Sequence, residues 1–123
     1  MPKNKELKDQ MAALRRAVPE LYGLLLASNE GLPIAHSLSN GTDPDRIGAL
    51  AAAVSSMGRR IADCMNVGTL GDVSICAEKG TVFFYAAGSR AVLVALGPNG
   101  CNAGLVHLEA GMTAQNMGAR FDS

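Results

Sequence analysis

The side chains with potential chemistry are few in this sequence, and they lie far apart. The two histidines, His36 and His107, have no second histidine, cysteine or carboxylate nearby at the spacing of metal ligands. Cys64 would need a base beside it to act as a nucleophile, and its place in a helical segment favours a small buried residue. We therefore expect structural or surface positions for both histidines, a packing role for Cys64, and neither a metal nor a cofactor.

A glycine-rich run is the second candidate for chemistry. The run Gly97–Gly104 precedes a predicted helix and could place an anion at the helix N-terminus. It lacks the Gly-Lys-Ser/Thr ending of a P-loop and the G-x-G-x-x-G spacing of a dinucleotide site. A plain strand-to-helix turn is the simpler interpretation, and a small-ligand sensor that uses this turn is kept as an alternative.

Two consecutive arginines are the third candidate. Arg59 or Arg60 could supply an arginine finger to a GTPase. Consecutive helical residues point about 100° apart, so only one of the two could reach such a site. A solvated pair, or a pair at the rim of an interface, is the favoured interpretation. Because the sequence offers no acid–base pair, we predict that the chain is not an enzyme.

Composition restricts the possible partners and the compartment. The 11 basic and 11 acidic residues cancel, which argues against nucleic acid and against membrane binding through a basic patch. No apolar run approaches the roughly 20 residues that cross a bilayer, and the charged N-terminus is unlike a secretory signal. Three cysteines without C-x-x-C spacing indicate reduced, mostly buried thiols of a cytoplasmic protein. With 48% hydrophobic residues, the 123 residues should form one domain, 1–123, with its core at about 5–117.

The segment Asp43–Met65 is predicted to form the helix around which the chain is organised. One face carries large apolar residues three or four positions apart, which is the helical period. The opposite face is small and nearly uncharged, unlike an ordinary solvated helix face. We expect the large face, with Leu50, Val54, Met57 and Ile61, to anchor the helix on the sheet. The small face would then meet another chain.

The remaining pattern predicts two more helices and five strands. A first helix over about Lys5–Val18 ends before Pro19, and a last helix begins after Asn102. Continuous apolar runs mark the first and fifth strands as central, and Pro33 places the second strand at an edge. Short hairpins then give an antiparallel α/β (α+β) sheet of order 2-1-5-4-3. The second helix would cover one face, and the terminal helices the other.

The third strand and the second helix together predict an interface. The strand at Asp72–Glu78 would be an uncovered edge with uncharged residues in its middle, and such edges are normally paired or covered. A two-fold dimer would pair this edge with its copy and pack the two helices together. The residues expected in this dimer interface are Ala49, Ala53, Ser56, Arg60, Val73 and Ile75.

The order and spacing of several segments resemble the Roadblock / dynein light chain family, and more narrowly its bacterial members of the MglB type. The hairpin at Gly23–Ala35 resembles the family's hydrophobic strand followed by x-x-G-L-P-hydrophobic-A. The start of the last helix, Asn102–Val106, is similar to the family's N-x-G-L-V. Between them lie the alanine-rich helix and the two hydrophobic strands, so the resemblance covers about Leu7 to Met117.

This resemblance implies a Roadblock fold, a homodimer and a non-catalytic role as regulator or scaffold for a Ras-like small GTPase. Some family members stimulate GTP hydrolysis without contributing a catalytic residue of their own. The paired second helices would meet the GTPase, and the residues expected at that contact are Arg46, Arg59, Arg60 and Asp63. A structural dimerisation scaffold with no effect on GTP hydrolysis is the other alternative.

Overall fold

The chain follows the order α-β-β-α-β-β-β-α in a computed structural model that describes residues 4–122. The elements are α1 (Asn4–Ala17), β1 (Gly23–Ser28), β2 (Pro33–Ser37), α2 (Pro44–Met65), β3 (Asp72–Cys76), β4 (Gly80–Ala87), β5 (Ala91–Pro98) and α3 (Ala103–Asp122). The ends of the domain proposed for 1–123, at residues 1–3 and 123, lie outside the described residues.

The five strands form one antiparallel sheet of order β2-β1-β5-β4-β3, which confirms the predicted topology. The continuous apolar runs become β1 and β5, which lie next to each other in the middle of the sheet. Pro33, which has no N–H to donate, begins the edge strand β2. At the opposite edge, β3 pairs only with β4.

Helices cover the two faces of the sheet as the sequence predicts. The residues of one core cluster come from α1, α3 and the strand face that carries Phe83 and Tyr85. Phe84 points to the opposite face, where it packs in a second cluster with Ala51 of α2. The apolar stripe predicted for the first helix, from Leu7 to Val18, is fully buried in the first cluster. Because successive side chains of β4 point to opposite faces of the sheet, this strand contributes to both layers of the core.

The ends of α2 follow from local hydrogen bonding. The carboxylate of Asp43 accepts a hydrogen bond from the Asp45 N–H at 3.0 Å, and Pro44 opens the first turn. At the other end Asn66 adopts the left-handed conformation with φ of 58°, and its backbone N–H donates to the carbonyls of Ala62 and Asp63. Because asparagine tolerates the left-handed region, Asn66 ends the helix after Met65, at the boundary that the predicted segment Asp43–Met65 has.

The last helix is longer than its sequence indicates. Gly111 and Gly118 predict a weak C-terminal end, yet α3 continues to Asp122. A Cβ at Gly118 would lie 2.1 Å from the Gly88 N and 2.4 Å from the Ala87 carbonyl carbon. The missing side chain thus lets α3 rest directly on the β4–β5 turn. A Cβ at Gly111 would meet nothing within 4 Å.

These two glycines give a matched pair of alanine substitutions. We expect Gly118→Ala to lower the free energy of unfolding by roughly 1–3 kcal/mol, because the methyl group collides with backbone that cannot move aside. Gly111→Ala should instead raise it by up to about 1 kcal/mol through helix propensity. Urea unfolding followed by circular dichroism measures both. Equal effects of the two substitutions would contradict this packing of α3.

Candidate interaction surface

The large apolar residues of α2 lie on an exposed flank of the helix. Leu50, Met57 and Ile61 are each more than half exposed, at 55%, 56% and 55%. Of the four residues predicted to anchor α2 on the sheet, only Val54 is partly buried and packs against the core. The predicted assignment of the helix faces is therefore wrong. We call the exposed residues Leu50, Met57, Ile61 and Met65 the apolar flank.

Small residues make the contact between α2 and the sheet instead. The buried residues of the helix are Gly48, Ala51, Ser55 and Ala62. A Cβ at Gly48 would lie 2.7 Å from the Gly31 carbonyl oxygen in the β1–β2 turn. The helix backbone therefore approaches the sheet too closely for a large side chain to fit between them. The larger side chains of the same helix are displaced to its side.

Two residues of the apolar flank, Met57 and Ile61, face the uncovered edge of the sheet. Between α2 and β3 lies an apolar groove of about 570 Å³, whose lining includes Met57 and Ile61 from the helix and Val73 from the strand. The loop between the two elements contributes Val67, which is 74% exposed. On β3 itself Ile75 is 44% exposed. Exposed apolar residues of this number on one side of a domain are typical of a surface that meets another protein.

The backbone of β3 is unpaired on its outer side. Ala77 N–H donates to the Gly80 carbonyl at 2.9 Å, and Ala86 N–H donates to the Gly71 carbonyl at 3.4 Å. Since antiparallel strands bond through alternate residues, the odd-numbered residues of β3 face β4. The N–H and C=O groups of Asp72, Ser74 and Cys76 therefore point out of the sheet, available to another strand.

The residues predicted for the dimer interface separate into two groups. Ala49, Ala53, Ser56 and Arg60 are exposed on the outer surface of α2, away from the sheet. Val73 is half-buried beneath α2 and Ile75 is exposed at the edge. The sequence reasoning missed the apolar flank as an exposed surface. The signal was present in the small residues between its members, which indicate a helix packed closely against its neighbour.

The residues predicted for GTPase contact also lie in two different places. Arg46 and Arg60 are exposed on the outer surface of α2, Arg46 near the start of the helix. Arg59 and Asp63 lie one turn apart and line a cavity of about 470 Å³, together with Asn29 of the β1–β2 turn and Ser89 of the β4–β5 turn. Arg59 and Asp63 are thus brought together, and Arg46 is not part of that group.

The two histidines have different surroundings. His36 is exposed on β2, as expected. His107 Nδ1 lies 2.8 Å from the Tyr85 hydroxyl and 3.8 Å from Asp72 Oδ2. Burial, and then the Asp72 carboxylate, raise the pKa of Tyr85 above its ordinary value, so the hydroxyl keeps its proton and can donate to the imidazole. This contact links α3 to β4 and to the start of β3.

The cysteines depart from the sequence prediction. Cys64 and Cys76 are exposed and Cys101 is partly buried, and none forms a disulfide. The prediction of mostly buried thiols is therefore wrong, and Cys64 is not a packing residue. Burial, and then the carboxylate of Glu20, raise the pKa of the Cys101 thiol, which disfavours the thiolate.

The turn before α3 holds a carboxylate from its own chain. Asn102 Oδ1 accepts a hydrogen bond from the Leu105 N–H at 3.1 Å and caps the helix. The Asn102 N–H donates to Glu20 Oε2 at 3.2 Å. Glu20 thus provides negative charge where Gly97–Gly104 could have received an external anion. Within residues 4–122 no group of three or more His, Cys, Asp or Glu side chains could hold a metal ion.

A five-stranded antiparallel sheet, with one helix on one face and two helices on the other, defines a small α+β domain. Its candidate site is a surface rather than an enclosed pocket. The family model described as Roadblock/LC7 domain matches residues 7–97, and the chain belongs to this family. None of the helices described here is long and apolar enough to cross a membrane.

Similar proteins include curated relatives and solved structures. The uncharacterized protein MJ1340 of Methanocaldococcus jannaschii is 30% identical over 101 residues, covering 82% of this chain and 88% of its own length. The structure of Myxococcus xanthus MglB superimposes with a TM-score of 0.89 at 17% identity, covering 98% of both chains. A Roadblock/LC7 domain from Streptomyces avermitilis has a TM-score of 0.84 at 23% identity, with 93% of this chain and 96% of that chain covered. Both structures confirm the fold.

Two glutamate substitutions test the assignment of the α2 faces. Ala51 is fully buried against the sheet, and we expect Ala51→Glu to lower the free energy of unfolding by roughly 3 kcal/mol or more, because it buries an unpaired charge. Ser56 is exposed on the outer surface, and Ser56→Glu should leave the folded structure intact. Thermal unfolding at one fixed protein concentration measures both. A folded Ala51→Glu variant of unchanged stability would contradict the assignment.

Proposed function

We propose that this chain is a non-catalytic homodimeric regulator or scaffold that binds a Ras-like small GTPase in the bacterial cytoplasm and modulates its nucleotide state. The observation that carries the homodimer is the apolar flank of α2 beside the unpaired edge of β3. The Roadblock/LC7 fold and its similarity to MglB suggest the GTPase as the further partner.

One two-fold axis could satisfy both exposed features. If β3 pairs antiparallel with β3 of a second copy, the two sheets become continuous and the α2 helices lie side by side above the junction. Burying a Leu, Met or Ile side chain stabilises by about 1.5–3 kcal/mol. Burial of Leu50, Met57 and Ile61 in the dimer would therefore stabilise it by several kcal/mol for each copy. This offsets part of the free-energy cost of association.

The outward backbone groups define a register for this pairing. Hydrogen-bonded pairs must use Asp72, Ser74 and Cys76, and the register centred on Ser74 uses all three on each strand. Ser74 then lies opposite Ser74 of the second copy. On the α2 side Val73 faces Ile75 of the second copy, so apolar residues meet across the junction. This arrangement accounts for both β3 residues predicted from the sequence.

The small outer residues of α2 have a complementary role in this dimer. Ala49, Ala53 and Ser56 are short enough to let two helices approach closely, while the apolar flank provides most of the buried area. Arg60, next to them on the outer surface, would lie at the rim. The interface proposed from the sequence is thus kept and extended by Leu50, Met57 and Ile61.

The paired α2 helices would present their outer surfaces to the GTPase. Arg46 and Arg60 are exposed there and could contact acidic residues of the partner, while Arg59 and Asp63 lie at the side, next to the cavity. Charged rim residues mainly affect the rate and specificity of association. Any change in GTP hydrolysis would come from ordering the switch loops of the GTPase itself.

The two alternatives are distinguished by binding and by hydrolysis. A structural dimerisation scaffold would bind the GTPase without preference for its nucleotide and without changing its hydrolysis rate. A small-ligand sensor would need an open site at Gly97–Gly104. The hydrogen bond from Asn102 to Glu20 makes that alternative the weaker one.

The dimer proposal predicts a specific dissociation. Sedimentation equilibrium at micromolar concentration should give a dimer for the natural chain. Ile61→Glu and Ala53→Glu should give folded monomers, because each places a carboxylate where two α2 helices meet. The matched control is Leu108→Glu on α3, since Leu108 is 60% exposed on the opposite face of the sheet. This variant should remain dimeric.

Two results would count against the proposed interface. A monomeric natural chain at these concentrations would remove it. Dissociation by Leu108→Glu with no effect of Ile61→Glu would move the interface to the other face of the sheet. Circular dichroism of each variant establishes that it is folded before its mass is interpreted.

The GTPase proposal predicts that replacing the α2 arginines lowers the affinity for the GTPase without changing the hydrolysis rate at saturation. The test uses a Ras-like small GTPase from the same organism, loaded with GDP or with a non-hydrolysable GTP analogue to measure binding, and with GTP to measure hydrolysis. We expect preference for one nucleotide state and faster phosphate release when this chain saturates the GTPase. Alanine substitution of Arg59 and Arg60 together should weaken binding but keep the saturated rate. Loss of a true arginine finger would lower that rate by about 10³-fold or more, which would contradict the non-catalytic role.

A further inference from the structure

A basic groove lies at the opposite edge of the sheet from β3. It runs between α1 and the edge strand β2, has a volume of about 540 Å³, and is floored by the buried Met11. We define the basic groove by its other lining residues, which are Lys8, Ala12, Arg15, Arg16, His36 and Ser37. None of the residues named for the dimer or for the GTPase contributes to it.

The charge of this groove is of one sign, although the chain as a whole is neutral. Lys8, Arg15 and Arg16 line it, and no carboxylate does. Asp9 is exposed and lies within about 20° of Arg16 around α1, two turns away along the helix, but it does not line the groove. The other acidic residue of α1, Glu6, forms an ion pair with Arg120 of α3. The field inside the groove is therefore positive and selects an anionic group.

One cation is held in place by the strand. Arg15 Nη1 donates a hydrogen bond to Ser37 Oγ at 2.6 Å. This bond fixes the guanidinium at the strand edge, and a guanidinium has further N–H groups that can bind a carboxylate. A positioned arginine loses less conformational entropy on binding than a free one.

The backbone beside the groove is open for strand pairing. Asn29 N–H donates to the Arg90 carbonyl at 2.9 Å, so the odd-numbered residues of β1 bond to β5 and the even-numbered ones to β2. His36 lies opposite Leu25, an odd-numbered residue of β1. The N–H and C=O of His36 therefore point outward from the sheet. An edge strand with free backbone groups is a template for a further strand.

The geometry points to an acidic peptide that adds to the outer edge of β2 as a sixth strand and places alternate carboxylates in the basic groove. Backbone hydrogen bonds to His36 would supply affinity, and carboxylates paired with Lys8, Arg15 and Arg16 would supply specificity. When a peptide extends a sheet, backbone hydrogen bonds usually provide affinity and side-chain contacts provide specificity. Successive same-side residues of the peptide are about 6.7 Å apart, within reach of these long side chains.

A peptide suits this surface better than a membrane or a nucleic acid. The cations line a concave groove beside a strand edge, a shape that suits one extended chain better than a flat lipid surface or a duplex. The groove is also compatible with the proposed dimer, because β2 and β3 lie at opposite edges of the sheet. A dimer through β3 would carry two such grooves, one at each end, and the inference does not depend on that dimer.

The test is a titration of ¹⁵N-labelled protein with a peptide of alternating glutamate and threonine, followed by amide chemical shifts. We expect shifts confined to α1 and β2, including the amide of His36. The double variant Lys8→Glu, Arg16→Glu should weaken binding by about tenfold. The control Lys79→Glu, Arg90→Glu changes the net charge equally at exposed turns far from the groove and should bind like the natural chain.

Three comparisons decide the outcome. The same peptide N-methylated at alternate residues keeps its charges but cannot pair with β2, and equal binding of that peptide would overturn the strand addition. Equal weakening by the control variant would overturn the site. Binding to phosphatidylserine vesicles in preference to the peptide, abolished by the groove variant, would assign the cations to a membrane surface and overturn the peptide.

Discussion

The close approach of α2 to the sheet is the constraint on which the other surfaces depend. A Cβ at Gly48 would lie 2.7 Å from the Gly31 carbonyl oxygen, and a Cβ at Gly58 would lie 3.3 Å from a methyl group of Val73 on β3. The helix can sit this low only because glycine, alanine and serine form its inner face. Leu50, Met57 and Ile61 then have no room beneath the helix and are exposed at its side. The exposed apolar flank is thus a consequence of how the domain is packed.

Because of this packing, surfaces of different chemistry lie at different parts of the domain. The apolar flank and the unpaired backbone of β3 lie together at one edge, where apolar area and hydrogen bonds can be satisfied by the same partner. The outer surface of α2 is small, with arginines at intervals, and is suited to a more polar contact. The basic groove lies at the far edge beside β2. The basic groove therefore shares no lining residue with the surfaces of α2 and β3.

The sequence predicts the fold well because several independent signals agree. Apolar continuity marks β1 and β5 as central, Pro33 marks an edge, and short hairpins fix the order of the strands. The periodicity of α2 predicts correctly which residues share a face. It does not determine which face turns inward, since that depends on the distance between helix and sheet. The usual expectation that the largest apolar residues are buried fails at Leu50 and Met57 for this reason.

Other features depend on contacts between distant segments and leave little trace in the sequence. Gly118 resembles a helix breaker until the β4–β5 turn is placed against it. The pairing of His107 with Tyr85 joins residues 22 positions apart. The basic groove combines cations of α1 with the edge of β2, and neither segment alone indicates a site. The overall charge of zero gives no indication of this local group of cations.

Amide hydrogen exchange of β3 tests the central claim, the two-fold pairing of this edge, most directly. The N–H groups of Val73 and Ile75 bond within the sheet and serve as internal references. The account predicts that the outward N–H groups of Asp72, Ser74 and Cys76 are protected at micromolar concentration and lose that protection on dilution. Rapid exchange of these three amides at every concentration, with Val73 and Ile75 still protected, would contradict it.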